Sequence, residues 1–382
     1  MTGVARPPES AAEKLRVMRT PKSVDIDITD RCNLRCQYCY FFTSPADVKQ
    51  DLPLEEWLHF FEELNRCAVT EVCLAGGEPF IREDFADIIR GIVRNRMRFN
   101  VLSNGTLITD ELASFLASTG RCNYVQVSLD GSIPITHESF RGKGTFYRAV
   151  EGIRTLQRHK VTATVRVTIH RQNVLDLENI ARLLLEEIGL SSFSTNSAGY
   201  MGLCQKNTEQ VQLTTEDRQL AMNALLQLDR KYGGRISAQA GPLAEGKMWL
   251  IMEEARREGM ASMPGRGHLT GCGCPFSKIA VRTDGVIVPC NMLSHIELGR
   301  INRDDLLDIW QNHAELWKIR ERRLKPLSDF EFCRDCPYIH YCTGNCPALA
   351  YALLGLVDHP SPDACLRRYL KEGGKLPAEL SG

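Results

Sequence analysis

The stretch DRCNLRCQYCY, residues 30–40, decides the fold and the chemistry that this sequence predicts. Its cysteines, Cys32, Cys36 and Cys39, follow directly after the strand-like run Val24–Thr29. Three thiolates this close together can ligate three irons of a four-iron cubane. The fourth iron then lacks a protein ligand and can chelate a substrate, much as catalytic zinc keeps an open position. The alternative is a zinc site or three unrelated thiols, but no nearby Cys or His completes a zinc set.

Cysteine is unusually frequent in a chain of otherwise ordinary globular composition. Of 382 residues, 43% are hydrophobic, 25% are charged and 15 are cysteines. In a reducing compartment, clustered cysteines indicate metal ligands or catalytic groups rather than disulfides. Four cysteines stand outside the clusters: Cys67, Cys73, Cys122 and Cys204. Cys73 lies in an apolar strand, where we expect a buried structural thiol.

The charge balance excludes several classes of partner. Lys plus Arg equals Asp plus Glu, so no net field recruits nucleic acid or a membrane surface. No apolar run reaches the roughly 18 residues of a membrane helix. The first 22 residues contain no apolar signal core. We therefore expect a cytoplasmic protein that binds neither nucleic acid nor membrane.

Strand-like runs alternate with helix-like segments from residue 24 to about residue 232. Six βα units in succession predict an α/β fold with a parallel sheet and right-handed crossovers. The predicted strands are Val24–Thr29, Glu71–Ala75, Arg98–Leu102, Tyr124–Leu129, Thr162–Ile169 and Ser191–Asn196.

Alternation within these strands predicts a barrel with a polar lumen. In the first strand Val24, Ile26 and Ile28 share one face, and Asp25 and Asp27 lie on the other. Crossover helices must cover the apolar face, so the polar face should turn inward. A closed eight-stranded barrel fills its lumen with apolar side chains, so a polar lumen favours an open, partial barrel that holds a ligand. The alternative is a sheet with one solvated face.

The pattern changes in the last third of the chain. Residues 236–271 are predicted to be a connector with a helix near Gly246–Glu258. From residue 272 the sequence contains a hairpin signal, Asp284-Gly285, and cysteine-rich loops. We predict five segments: an N-terminal extension (1–23), the partial barrel (24–235), the connector (236–271), a cysteine-rich domain (272–370) and a tail (371–382).

Polar and glycine-rich turns follow the second, third and fourth predicted strands. Each turn alone is more often structural than functional. Together they should meet at the C-terminal rim of the strands, where βα barrels place their active sites. Glycine lets a backbone approach a ligand closely, and Ser, Asn and Asp can bind ribose hydroxyls or an amino acid moiety. The candidate ligand contacts are Gly76, Gly77, Glu78, Pro79, Ser103, Asn104, Ser128 and Asp130.

With this rim, the cysteine spacing and its flanking aromatic residues Tyr38 and Tyr40, the segment resembles the radical S-adenosylmethionine (SAM) superfamily. The resemblance implies a partial (β/α)6 barrel of the TIM type and reductive cleavage of SAM to a 5′-deoxyadenosyl radical. It implies that Gly76–Glu78 meets the methionine amino group and that Tyr38 lies at the cofactor. Ser128 and Asp130 would face ribose or carboxylate, and Arg166 is a candidate carboxylate partner.

The C-terminal cysteines resemble the SPASM extension of radical enzymes that often modify ribosomal peptides. The resemblance implies two auxiliary four-iron clusters, hence three [4Fe-4S] clusters in all with SAM as cosubstrate. The first auxiliary set would be Cys272, Cys274, Cys290 and Cys346. The second set would be Cys333, Cys336, Cys342 and Cys365. Cys272 and Cys274 are separated by one residue, so whether both of them ligate iron stays open. The alternative to the two clusters is a pair of zinc knuckles.

One departure from this family pattern concerns Asn291. Sulfatase-maturing members carry an acidic residue directly after the cysteine that matches Cys290, and an amide cannot accept a proton at neutral pH. This disfavours sulfatase maturation. The segment around residues 37–42 is similar to maturases of nif11-like precursor peptides, some of which excise tyramine from a backbone. Only 23 residues precede the first strand, so we expect a separate leader-peptide-binding protein rather than a fused one.

Three functions are compatible with these sequence features. The favoured function is a peptide-modifying radical oxidoreductase or lyase that acts on a precursor peptide, with an external flavodoxin- or ferredoxin-type electron donor. The alternatives are a radical enzyme acting on a small molecule and a non-catalytic iron–sulfur electron carrier. Cys204, after the sixth strand, could donate a hydrogen atom or orient a peptide, although a bystander thiol is the simpler interpretation.

Overall fold

The computed structural model describes residues 15–42, 50–270 and 273–377. In this part of the chain, ten strands form one sheet in the order β10-β9-β8-β1-β2-β3-β4-β5-β6-β7. The strands are β1 Ser23–Thr29, β2 Glu71–Gly76, β3 Arg98–Ser103, β4 Cys122–Ser128, β5 Ala163–Ile169, β6 Phe193–Ser197, β7 Ile236–Ala238, β8 Lys278–Val281, β9 Val286–Val288 and β10 Gly299–Arg300.

Helices connect the strands and cover the apolar face of the sheet. They are α1 Leu54–Arg66, α2 Phe85–Arg94, α3 Asp110–Ser118, α4 Pro134–Arg141, α5 Phe146–Arg158, α6 Leu177–Arg182, α7 Gly202–Lys206, α8 Thr208–Val211, α9 Thr215–Lys231, α10 Pro242–Arg257, α11 Cys274–Ser277, α12 Leu306–Asn312, α13 Ala314–Glu321, α14 Pro347–Leu354 and α15 Leu366–Lys371. Helix α6 continues into a π-helical turn, Leu183–Glu187. Short 3₁₀ turns lie in several of the loops.

The barrel strands β1 to β7 pair in parallel with their neighbours. Val24, Ile26 and Ile28 are fully buried in the core that also holds Trp57 and Phe60 of α1. The opposite faces of the strands carry the polar side chains, as the alternation predicts. All six predicted strands are present, and their C-terminal ends lie at one edge of the sheet. This edge is the rim that positions the candidate site.

The sheet extends beyond the six predicted βα units. Strand β7, at the start of the predicted connector, pairs with β6. Strand β8 pairs in parallel with β1, and β9 pairs with β8 as the predicted hairpin. Gly285 adopts a positive φ of 80°, which glycine adopts without strain, at the hairpin turn. The cysteine-rich segment therefore joins the barrel sheet directly.

The connector helix is α10, which begins four residues before the predicted start. No helix in the described residues is long and apolar enough to span a lipid bilayer.

Candidate radical-cluster site and its polar lumen

The loop that carries Cys32, Cys36 and Cys39 follows β1 and is held by the turn after β3. All three thiols are half-buried. The Asn104 side chain donates to Asn33 Oδ1 at 2.8 Å and lies 3.9 Å from Cys32 Sγ. The Cys39 backbone N–H donates to the Cys36 carbonyl at 3.1 Å, which closes the loop. The structure therefore brings the three predicted ligands together at the rim of the barrel.

Burial raises the pKa of the Cys32 thiol to about 11 and that of Cys36 to about 12. Such thiols become thiolates when a metal replaces their protons. Within residues 15–42, 50–270 and 273–377, no three Cys, His, Asp or Glu side chains converge as ligands of one metal ion. Three neighbouring, half-buried thiols fit a cluster with an open iron.

Gly76 and Gly77 allow β2 to pack against the cluster loop. A Cβ at Gly76 would lie 2.5 Å from the Thr29 carbonyl oxygen, and one at Gly77 would lie 2.1 Å from that of Arg31. The Gly77 N–H donates to the Thr29 carbonyl at 2.8 Å. From the sequence, we expect these glycines to let the backbone approach a ligand closely. In the structure, close approach of two backbone segments already requires them.

Glu78 is fully buried and its carboxylate binds the turn after β3. It accepts from the Ser103 hydroxyl at 2.9 Å and from the Asn104 N–H at 2.7 Å. Burial raises the pKa of Glu78 to about 7, against these hydrogen bonds. Pro79 begins the following 3₁₀ turn. Glu78, Ser103 and Asn104 therefore form one hydrogen-bonded unit beneath the cluster loop.

Asp130 is the second organising carboxylate at the rim and is fully buried. Its Oδ2 accepts from the Tyr38 hydroxyl and from Arg141 Nε, the latter at 2.5 Å. Its Oδ1 accepts from the Thr168 N–H at 2.7 Å. The predicted contact of Asp130 with ribose or a cofactor carboxylate stays a prediction. In the structure this side chain anchors Tyr38, which lies between Cys36 and Cys39.

Ser128 and Arg166 lie side by side on the lumen faces of β4 and β5. Both are half-buried. Arg166 Nε donates to Gln126 Oε1 at 3.2 Å, and burial lowers the arginine pKa. A hydroxyl next to a guanidinium can bind a carboxylate. The contact of Ser128 with ribose or carboxylate and that of Arg166 with carboxylate stay predictions.

Acidic side chains of β1 line the lumen below the cluster loop. Asp27 is 4% exposed. Its Oδ2 accepts from Asn291 Nδ2 at 2.9 Å, whereas its Oδ1 has no hydrogen-bond partner among the described residues. Burial raises the pKa of Asp27 to about 7. Asp25 forms an ion pair with Lys278 at 3.0 Å. Cys73, opposite Asp25, is half-buried on this face and is not the core thiol that we expected.

The cysteines predicted for the second auxiliary set line one common cavity of about 30 Å³. Apolar side chains such as Met252, Leu327 and Leu366 complete its wall. Burial, and then the neighbouring thiols, raise the pKa of the first of these cysteines to about 12. The four thiols thus lie around one space, and their ligation of a cluster stays a prediction. The four cysteines are Cys333, Cys336, Cys342 and Cys365.

The first auxiliary set is partly described. Cys290 and Cys346 pack against the same small apolar cluster, which contains Leu293. Cys274 begins α11, immediately before β8, at the end of the hairpin from which Cys290 leaves β9. Cys272 lies outside the described residues. The three described members thus lie in one region, and the question between Cys272 and Cys274 stays open.

Cys204 is fully buried in an apolar cluster with Tyr38 and Tyr200. Its N–H donates to the Cys39 carbonyl at 3.3 Å. The thiol packs behind the cluster loop, so its position favours a structural role over hydrogen donation.

Two residues of the site were missed from sequence. Arg141 reaches the cluster loop from the C-terminal end of α4, and no motif spacing indicated this contact. Asp27 was placed on the polar face of its strand, but its contact with Asn291 depends on the pairing of β8 with β1. Alternation alone could have flagged Asp27 as a buried lumen carboxylate.

Comparison with known proteins agrees with this geometry. Residues 26–184 match the model of the radical SAM superfamily. This segment of the chain is a radical SAM domain. Residues 272–337 match SPASM, an iron–sulfur cluster-binding domain. The radical SAM domain binds a four-iron cluster and SAM, and the SPASM domain binds auxiliary iron–sulfur clusters. The chain is therefore an enzyme rather than a non-catalytic electron carrier.

Curated relatives of this radical SAM chain act on different substrates. Fe-coproporphyrin III synthase of Methanosarcina barkeri is 29% identical, over 89% of this chain and 86% of the relative. The mycofactocin maturase MftC of Mycolicibacterium smegmatis is 25% identical, over 95% of this chain and 87% of the relative. The structure of Streptococcus suis SuiB bound to precursor peptide SuiA has a TM-score of 0.70 at 16% identity, covering 94% and 78% of the two chains. This last likeness confirms the fold.

Proposed function

We propose that this radical SAM enzyme abstracts hydrogen from a ribosomally made precursor peptide and thereby modifies it. The observation that carries the proposal is the pairing of β8 with β1, which brings Asn291 of the SPASM segment into the barrel lumen. The loop after β1 and the hairpin of β8 and β9 would thus border one substrate space. The names of MftC and of the SuiB–SuiA complex add support for a peptide substrate.

The residue assignments at the radical centre belong to the same proposal. Cys32, Cys36 and Cys39 would hold the cluster, and Ser128 with Arg166 would hold the carboxylate of SAM. When bound, the cluster and SAM supply a 5′-deoxyadenosyl radical. The chain's own part is to hold the cofactor above a polar lumen that orients the substrate.

Asp27 would accept the proton that an oxidised substrate must release. Its unpartnered Oδ1 lies in the lumen, while Asn291 holds the other oxygen. The substrate would release one hydrogen atom, one proton and one electron: Asp27 would take the proton, SAM would supply the hydrogen acceptor and the auxiliary clusters would supply the electron acceptor. The substrate thereby loses two hydrogens, as crosslinking or oxidation requires. A carboxylate with a pKa near neutrality is suited to accept a proton.

Co-expression tests the peptide substrate. The chain is produced anaerobically together with each short open reading frame encoded beside its gene, and the peptide masses are measured. We expect one peptide to lose hydrogen mass or a backbone segment with the native chain and to stay unmodified with the Cys36→Ala variant. Unmodified peptides throughout would contradict the proposal.

A porphyrin substrate is the second candidate, because Fe-coproporphyrin III synthase is 29% identical over most of both chains. The lumen gives this candidate little support: Asp27 is buried there, and the Lys278 amine that could bind a porphyrin carboxylate is paired with Asp25. Anaerobic incubation of the reconstituted enzyme with Fe-coproporphyrin III, SAM and a reductant distinguishes the two. A changed absorption spectrum and product mass would favour the porphyrin.

The remaining partners follow from the chemistry. SAM cleavage consumes an electron, so we propose a flavodoxin- or ferredoxin-type donor. A separate protein would bind the leader peptide. Iron–sulfur clusters and reduced thiols fit a reducing compartment, so we propose a cytoplasmic location.

A further inference from the structure

Arg141 places a buried guanidinium against the cluster loop. The residue is 7% exposed and ends α4. Its Nη1 lies 4.0 Å from Cys36 Sγ, and its guanidinium carbon lies 5.2 Å from the centre of the Tyr38 ring. Its Nε donates to Asp130 at 2.5 Å. Three contacts therefore fix the direction of this cation toward one predicted cluster ligand.

The charge of this group is held constant by its surroundings. Arg141 stays protonated beside Asp130. Burial opposes ionisation of Asp130, but the guanidinium charge outweighs it and lowers the carboxyl pKa. The neighbouring imidazoles of His137 and His170 are neutral, because burial lowers both pKa values to about 4.

The Arg141 guanidinium lies 4.0 Å from the Cys36 thiol, whereas the oxygens of its counter-ion Asp130 bind other groups. The two carboxylate oxygens of Asp130 accept hydrogen bonds from the Tyr38 hydroxyl, from Arg141 Nε and from the Thr168 backbone N–H. The cation, by contrast, directs an N–H group at Cys36 Sγ. Hydrogen bonds to the sulfurs and net local charge both set the reduction potential of an iron–sulfur cluster.

We propose that Arg141 is a positioning residue that raises the reduction potential of the radical cluster, and that Asp130 acts by aiming it. A positive charge beside Cys36 stabilises the reduced cluster, which carries one more electron. The inference rests on Cys36 as a cluster ligand and is independent of the peptide substrate. Loss of the cluster signal in Cys36→Ala tests that assignment separately.

A redox titration followed by electron paramagnetic resonance tests the proposal in the full, reconstituted chain. The radical cluster is identified as the signal that changes when SAM is added. For Arg141→Gln we expect the equilibrium constant for cluster reduction to fall at least tenfold, which is about 59 mV for one electron. Arg141→Lys keeps the charge and should stay within about threefold of the native value.

Arg35→Gln is the matched control. Arg35 lies in the same loop, but it is exposed and donates to the carbonyls of Cys32 and Leu34. Solvent screens its charge, so its removal should leave the potential nearly unchanged.

Asp130→Asn keeps the proposal testable if Arg141→Gln assembles no cluster. It removes the negative charge, while the amide oxygen of asparagine can still accept from Arg141 Nε and aim the guanidinium, so the potential should rise. A fall in this variant would overturn the proposal. So would equal shifts in Arg141→Gln and Arg141→Lys. An unchanged SAM-free potential in Arg141→Gln, with weaker SAM binding, would make Arg141 a SAM ligand instead.

Discussion

Glu78, Asp27 and Asp130 are buried carboxyl groups around the cluster loop, and their partners differ. Asp130 faces a guanidinium, and its pKa is lowered. Glu78 and Asp27 accept hydrogen bonds from uncharged groups, and burial raises both pKa values to about 7. Two of these three buried carboxyl groups, Glu78 and Asp27, are therefore hydrogen-bonded to uncharged partners.

Replacing Glu78 by alanine should destabilise the chain. The Ser103 hydroxyl and the Asn104 N–H would lose their buried acceptor, which costs about 1–3 kcal/mol for such groups. Thermal unfolding checks this. Glu83→Ala removes an exposed glutamate nearby and should leave the melting temperature unchanged. Equal melting temperatures for the Glu78 and Glu83 variants would contradict the assigned role.

Asp27 should make product formation depend on pH. A proton acceptor must be deprotonated, so the rate should rise with pH through about 7, the raised pKa of this carboxyl. Incubated with SAM and the unmodified precursor peptide, the Asp27→Asn variant should still form 5′-deoxyadenosine but should yield little oxidised peptide. Peptide and nucleoside are measured by mass spectrometry in the same samples. An Asp27→Asn variant with the native pH profile would refute the role.

The same shift has a consequence for stability. The native state binds this proton more tightly than the unfolded chain does, so stability contributed by Asp27 is lost as pH rises from about 4 to about 7. Asp27→Asn should therefore match or exceed the native melting temperature at pH 8. A lower melting temperature there would show that the carboxylate is needed for folding.

At the scale of elements, Arg218 of α9 connects three parts of the chain. It donates to Glu245 of α10 at 2.5 Å and to Asp363, near α15, at 3.0 Å. All three side chains are less than 10% exposed. The barrel, the connector helix and the SPASM segment are thus held by one buried cation.

Arg218→Met should destabilise the chain by about 3–5 kcal/mol, because it leaves two buried carboxylates without their cation. Chemical denaturation measures the change. Arg158→Met is the control, since Arg158 pairs with Glu151 on an exposed surface. Similar losses in both variants would contradict a special role of the buried network.

A strand or helix can be predicted from the sequence when a local residue pattern causes it to form. Alternating faces in strands such as Val24–Thr29 and Thr162–Ile169 are local, and both strands form. The three-residue strand β7 has no periodicity to detect, because its pairing with β6 creates it. The pairing of β8 with β1 joins residues more than 250 positions apart, so Asp27 and Asn291 could not be related from sequence.

Site residues follow the same rule. The ligand spacing of Cys32, Cys36 and Cys39 is contained in eight consecutive positions, and the structure brings them together. Asp130 was found as a rim residue, but its bond to Arg141 depends on the orientation of α4. The sequence thus predicts which side chain lies at the rim, but not the residue to which that side chain bonds.

At the scale of the whole molecule, the sheet joins two kinds of iron–sulfur site. Anaerobic reconstitution should give about twelve irons per chain if all three clusters are cubanes. Cys342→Ala should lower this by about four, because its thiol lines the cavity of the second auxiliary set. Iron analysis measures both. A native value near four would mean that the C-terminal cysteines are structural.

The central claim is that the loop after β1 holds the cluster that cleaves SAM. Its most direct test is 5′-deoxyadenosine formation by the anaerobically reduced, reconstituted chain. We predict that the native chain forms the nucleoside and that Cys36→Ala forms none while retaining its auxiliary clusters. SAM cleavage by Cys36→Ala at the native rate would contradict the account.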